Sequence, residues 1–154
     1  MSVQKRYAGR SDVPLTEIGV EQAAAAAKRL APAGIDVIVT SPLLRATQTA
    51  QEVAEVTGAP VVTDEGFRET DFGAWEGLTF AEALHRVLAG RERQTILIVS
   101  HVTPIKTLVT TALLAPPAAL YRMHLDVAAL CEIDWYADGP AVLRSFNDTG
   151  HLAG

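Results

Sequence analysis

Cysteine is almost absent from this 154-residue sequence, in which Cys131 is the single example. One cysteine excludes an internal disulfide and a thiolate metal cluster, and it favours the cytoplasm as the compartment. Long apolar runs are also absent, because the longest, such as Ile96–Val99 and Ala112–Ala115, are far shorter than a bilayer span requires. We therefore expect no membrane association, and no signal-peptide pattern is recognisable.

An excess of basic charge is missing as well. The chain has 13 Lys and Arg against 18 Asp and Glu, for a formal net charge of −5. This balance argues against nucleic acid as a partner, so that a few local cations must hold any anionic ligand. The histidines His85, His124 and His151 lack metal-ligand spacing. We predict no metal site. A nucleotide-binding domain is also not favoured, because the sequence has no glycine-rich loop after a predicted strand.

The chain does contain enough apolar residues to fold, since 49% of it is hydrophobic. Apolar runs alternate with helical patterns, as is typical of α/β proteins. We predict one domain over residues 1–154, built as a three-layer α/β/α sandwich with a mostly parallel sheet, helices on both faces and an antiparallel C-terminal hairpin. Predicted strands are Ile35–Thr40, Pro60–Thr63, Thr95–Ser100, Ala129–Tyr136 and Ala141–Asn147; predicted helices begin after Thr16, at Ser41-Pro42, near Thr79 and at Thr103-Pro104.

Two of these strands run directly into helix starts that carry chemically useful side chains. Arg45 follows the first predicted strand and His101 follows the third. If the two strands are neighbours in a parallel sheet, both residues converge beyond its carboxyl edge, where helix N-termini favour phosphate. From the residues alone, other readings remain open. Arg45 could be a solvated helix residue, His101 a satisfied core histidine, and Glu69 a loop carboxylate in water.

Four segments then point to a family when they are taken together and in order. The motifs are RYAG at 6–9, SPLLRATQTA at 41–50, RETDFGAWEG at 68–77 and VSH at 99–101. This series resembles the histidine phosphatase superfamily, the phosphoglycerate-mutase-like enzymes. The phrase HVTPIK at 101–106 is most similar to actinobacterial phosphatase domains of the α-ribazole phosphatase type, some of which are fused behind a ribonuclease H domain.

The resemblance implies phosphomonoester hydrolysis in two steps, through a phosphohistidine. Glu69 would donate a proton to the leaving oxygen, while Arg45 and His101 would hold the phosphoryl oxygens. The resemblance also implies contacts to substrate or phosphate from the backbone of Ala8 and Gly9 and from the amide of Val102. It implies a small-molecule phosphomonoester as the ligand and no cofactor, and it leaves homodimer formation open.

The sequence departs from this family in two places. The family's nucleophile lies in an Arg-His-Gly motif at the end of a central first strand, and the chain contains no such motif. A longer insert usual in the family is also missing near Ala83–Leu84.

We favour an incomplete sequence as the explanation for these two departures. A pseudoenzyme that binds phosphate without turnover and a strand supplied from elsewhere are the alternatives. Mutase activity is less favoured, because Phe72 and Phe80 stand where mutases usually have tyrosine and lysine.

Overall fold

The computed structural model describes residues 13–68, 82–136 and 140–152. No helix in these ranges is long and apolar enough to cross a membrane. The helices are α1 (Glu17–Leu30), α2 (Leu44–Thr57), α3 (residues 82–88) and α4 (Val102–Leu113). The strands are β1 (Val37–Thr40), β2 (Val61–Thr63), β3 (Ile96–Val99), β4 (Leu130–Trp135) and β5 (Ala141–Asp148).

Strand β1 is the middle strand of a parallel sheet with the order β2-β1-β3. Its register places Ile38 beside Val61 of β2 and Leu97 of β3. All four residues of β1 are buried, as expected for a parallel strand that is covered on both faces. Strands β4 and β5 pair antiparallel as a separate two-stranded sheet.

The core lies on both faces of the parallel sheet because successive side chains of a strand point to opposite sides. On one face, Ile38 packs with residues of α1 and α2, and Leu97 and Val99 of β3 pack against the same cluster. On the other face, Val39 packs with Phe67 and with residues of α3 and α4. This arrangement confirms the predicted α/β class with helices on both faces.

The start of α1 and the end of α2 follow their local signals. Thr16 caps α1 by accepting a hydrogen bond from the Gly19 amide at 3.0 Å. Gly58 ends α2 in the left-handed conformation, at φ 73°.

The starts of α2 and α4 differ from the prediction. Helix α2 begins at Leu44, because the Ser41 hydroxyl accepts from the Leu43 amide at 3.2 Å and holds a turn before the helix. Helix α4 begins at Val102, with His101 rather than Thr103 in the capping position.

The outer edge of β3 faces a cleft. Among the described residues, β3 pairs only with β1, and it does not join the β4–β5 sheet. The residues of β3 are half-buried, whereas those of β1 are buried. A cavity of about 160 Å³ lies here, between β3 on one side and the segment 125–130 that leads into β4 on the other.

A close contact between Gly66 and α3 generates the first prediction. A Cβ atom at Gly66 would lie 2.2 Å from the Cβ of Ala83, so Gly66→Ala must displace the helix and is expected to cost about 1–3 kcal/mol of unfolding free energy. Urea denaturation measures this cost. In the Ala83→Gly background the same substitution should cost clearly less, because the clashing methyl is gone. Equal costs in both backgrounds would contradict the contact.

Candidate functional site

The site is built at the carboxyl edge of the parallel sheet, where β1 and β3 end side by side. Thr40 and Val99 are register partners at this edge, and the chain continues from them into Ser41 and Ser100. Arg45, on the first turn of α2, and His101, at the start of α4, line the same cavity. The expected convergence of Arg45 and His101 is therefore present in the fold, because their two strands are parallel neighbours.

His101 is almost completely buried, with 5% of its surface exposed. Its Nε2 atom lies 2.7 Å from the Ser41 hydroxyl oxygen. Burial, together with the smaller effect of the positive charge of Arg45, lowers the pKa of His101 to about 3. The imidazole is consequently neutral at physiological pH, so that one ring nitrogen donates a hydrogen bond and the other accepts one.

Arg45 is the second residue of α2 and is 7% exposed. Its Nε and Nη2 atoms are buried and have no hydrogen-bond partner within the part of the chain that the structure describes, and the residue has other interactions. Nε and Nη2 form one edge of the guanidinium group, which is the geometry that binds two oxygens of a phosphate or carboxylate. The buried position of Arg45 also strengthens its electrostatic effect on any nearby anion.

The N-terminus of α4 adds backbone donors to the same cavity. Val102 is the first residue of this helix and lines the cavity beside His101. The first N–H groups of a helix have no intrahelical partner and lie at the positive end of its dipole. The Val102 amide therefore lies at a helix end that borders the cavity, and its contact with a substrate stays a prediction.

Two hydrogen bonds connect cavity-lining residues to other segments of the chain. The Ser100 hydroxyl donates to the Phe67 carbonyl at 2.5 Å, which fixes the chain just before Glu69. The Leu15 amide donates to the Gln48 side chain at 2.8 Å, which fixes the chain just before α1. The remaining predicted site residues, Ala8, Gly9 and Glu69, lie outside the described residues.

Ser41 is the residue whose place in the site the sequence pattern did not predict. Its position after a strand and before a proline indicates a helix cap, whereas the structure places its hydroxyl against the ring of His101. The other described histidines lie elsewhere; His124 pairs with Asp126 at 2.7 Å, and His151 contacts the Ala128 carbonyl at 2.8 Å. Within residues 13–68, 82–136 and 140–152, no three side chains are grouped so as to hold a metal ion.

Comparison with known proteins defines the class to which this fold and site belong. The sequence profile of the histidine phosphatase superfamily (branch 1) matches residues 1–89 and 81–149. The chain therefore belongs to the histidine phosphatase superfamily.

Individual relatives agree with this assignment. The bifunctional protein Rv2228c of Mycobacterium tuberculosis is 43% identical over 99% of the chain and 52% of its own length. The probable phosphoglycerate mutase GpmB of Proteus mirabilis is 31% identical over 98% of the chain and 89% of its own length. The crystal structure of phosphoserine phosphatase from Entamoeba histolytica, in complex with 3-phosphoglyceric acid, superposes with a TM-score of 0.81 at 28% identity, over 94% of this chain and 89% of that one.

The alignments also define how much of these proteins the chain represents. The chain spans about half the length of the mycobacterial relative. That alignment extends over 188 residues, which exceeds the 154 residues of the chain. The relative thus carries residues, within the aligned region, that have no counterpart here.

The burial of His101 predicts a pH dependence of folding. Between pH 3 and about 6.5 the unfolded chain binds a proton at this residue and the folded chain does not. The free energy of unfolding is therefore highest above about pH 6.5 and decreases as the pH falls. Between pH 7 and pH 5 the decrease is about 2 kcal/mol.

His101→Gln should remove that part of the pH dependence, as measured by urea denaturation at the two pH values. His124→Gln serves as the matched control, because His124 is exposed and its replacement should leave most of the dependence in place. An unchanged pH dependence in His101→Gln would show that the ring is not buried in its neutral form.

Proposed function

We propose that this domain is a phosphomonoester hydrolase that works through a phosphohistidine intermediate. The observation that carries the proposal is the position of Arg45 and His101, which line one cavity together with the outer edge of β3. Membership in the superfamily supports a phosphatase-type enzyme. The structural similarity to a phosphoserine phosphatase points in the same direction.

The proposed nucleophile is a histidine on a strand that pairs with the outer edge of β3. A strand parallel to β3 would end at the carboxyl edge of the sheet, where Arg45 and His101 lie. From this edge the chain would continue to Leu15 and α1, both of which border the cavity, and then to β1. This path is a β-α-β crossover, for which a right-handed connection is the rule. The segment that carries Arg-His-Gly is therefore proposed to lie on the N-terminal side of α1.

In the first step, the histidine nitrogen would attack phosphorus and the ester oxygen would leave. Glu69 is proposed to supply the proton that this oxygen requires. In the second step, water would attack the phosphohistidine and give up a proton to Glu69, which releases inorganic phosphate and the free histidine. In each transfer, negative charge is spread over the phosphoryl oxygens. Arg45 and the amide of Val102 are proposed to stabilise that charge.

His101 would act on the same oxygens by hydrogen bonding. Its neutral ring can donate one hydrogen bond to a phosphoryl oxygen. A bound phosphate would also place negative charge beside the ring, which opposes the effect of burial and of Arg45 and raises the pKa of His101. The backbone around Ala8 and Gly9 is proposed to complete the contacts to the substrate.

The proposed substrate is a small phosphomonoester. The name of the Proteus mirabilis relative raises mutase activity as an alternative. Phe72 and Phe80 disfavour it, because neither side chain can bind a carboxylate by charge or by hydrogen bonding. Cytoplasmic location, homodimer formation and fusion to a ribonuclease H domain remain predictions.

A second function is favoured by one specific observation, which is that the chain contains no Arg-His-Gly motif. Arg45, His101 and the start of α4 are donors that require no nucleophile in order to bind an anion. The alternative is therefore a phosphate-binding or interaction module without turnover.

Phosphate binding tests the part of the site that both functions share. Arg45→Ala removes at least one charge-assisted hydrogen bond, which is worth about 1.5–3 kcal/mol, so inorganic phosphate should bind at least roughly 10–100-fold more weakly. Isothermal titration calorimetry at low salt measures this change. Arg144→Ala is the matched control, because Arg144 pairs with Asp134 on the β4–β5 hairpin. Equal affinity of Arg45→Ala and the unsubstituted protein would remove Arg45 from the site.

Turnover distinguishes the two functions. We expect the protein to hydrolyse 4-nitrophenyl phosphate when it is mixed with a synthetic peptide in which about five apolar residues precede Arg-His-Gly. Acid-quenched labelling should then place the phosphoryl group on the peptide histidine. A peptide with alanine in place of that histidine is the control and should give no turnover. Phosphate binding without turnover in every mixture would establish the binding module instead.

A further inference from the structure

The Ser41 hydroxyl is held beside the ring of His101. Ser41 is fully buried, with 0% of its surface exposed. Its amide donates to the Val99 carbonyl at 2.9 Å, and its carbonyl accepts from the Thr40 hydroxyl at 3.0 Å. Its side-chain oxygen accepts from the Leu43 amide at 3.2 Å. The first two bonds hold the backbone of Ser41, and the third holds its side-chain oxygen.

The remaining contact of this hydroxyl is with Nε2 of His101, at 2.7 Å. A serine hydroxyl has one proton and two acceptor lone pairs. The Leu43 amide occupies one lone pair, which leaves the proton and the second lone pair for the imidazole. The hydroxyl can therefore donate to an unprotonated Nε2, and it can equally accept from a protonated Nε2 by rotating about the Cβ–Oγ bond.

We propose that Ser41 is a positioning residue that keeps the ring of His101 in one orientation in both of its protonation states. This inference rests on the proposed function, in which the site binds a phosphoryl group. The charge that acts on the ring within the described residues is that of Arg45, on α2. When an anion offsets that charge, His101 can take up a proton without losing its bond to Ser41. The phosphoryl oxygens thus meet a ring whose orientation does not change.

Substitution of Ser41 should therefore act through His101. Ser41→Ala leaves Nε2 without its partner, and we expect inorganic phosphate to bind about tenfold more weakly. The pH titration of the His101 ring, followed by NMR with and without phosphate, should also change in the tautomer and in the midpoint. Ser145→Ala, on β5, is the matched control and should leave both measurements as they are.

Two further substitutions separate hydrogen bonding from packing. Ser41→Thr retains a hydroxyl and should largely preserve the His101 titration. Ser41→Cys is close to serine in size but is a weak hydrogen-bonding partner, so it should behave like Ser41→Ala. If Ser41→Ala does not fold, the comparison of Ser41→Thr with Ser41→Cys decides the question.

A double-mutant cycle gives the sharpest test. In the His101→Ala background, Ser41→Ala should cause no further loss of phosphate affinity, because the residue through which Ser41 acts is gone. Additive losses, or an unaltered His101 titration in Ser41→Ala, would overturn the inference. If the unsubstituted protein does not bind phosphate, the proposed function itself fails. If the unsubstituted protein binds phosphate and Ser41→Ala binds it equally well, the inference about Ser41 fails while the proposed function stands.

Discussion

The parallel pairing of β1 with β3 is the constraint on which the rest of this structure depends. It brings together the carboxyl ends of two strands that are about sixty residues apart in the chain. The Ser41 amide donates to the Val99 carbonyl as an extension of this ladder, and the Ser41 hydroxyl then reaches His101. A shift of one residue in the register would turn the alternating side chains to the opposite faces and separate these groups.

The electrostatics of the site follow from the same pairing. Two groups that can carry a positive charge, Arg45 and His101, are buried beside one cavity. Arginine keeps its charge in such a place because its ordinary pKa is so high. The imidazole has a much lower pKa and stays unprotonated instead, so His101 is neutral. An anion is the species that relieves this arrangement, because it screens Arg45 and favours protonation of the ring. Burial and Arg45 thus disfavour a positive charge on His101, and a phosphoryl group beside the ring would favour it.

The open edge of β3 is the second consequence of the strand order. A strand with the sequence Ile-Leu-Ile-Val packs apolar side chains on both faces, which is the pattern of an interior strand and not of an edge strand. Natural sheets seldom leave such an edge unprotected. In the described part of the chain its outer side borders a cavity next to Arg45 and His101. The outer edge of β3 therefore borders the same cavity as Arg45 and His101, and it is the edge at which we propose that a further strand and its histidine pair.

The sequence by itself determined the local elements and the family. Apolar β-branched runs predict β1 and β3, Thr16 and Gly58 mark helix ends, and the order of four motifs identifies the superfamily. Only the tertiary structure decided that β1 and β3 are neighbours, that Ser41 contacts His101 across sixty positions, and that the ring is buried and neutral. Strand order, burial and pKa depend on groups that are distant in the chain. No local pattern of residues records them.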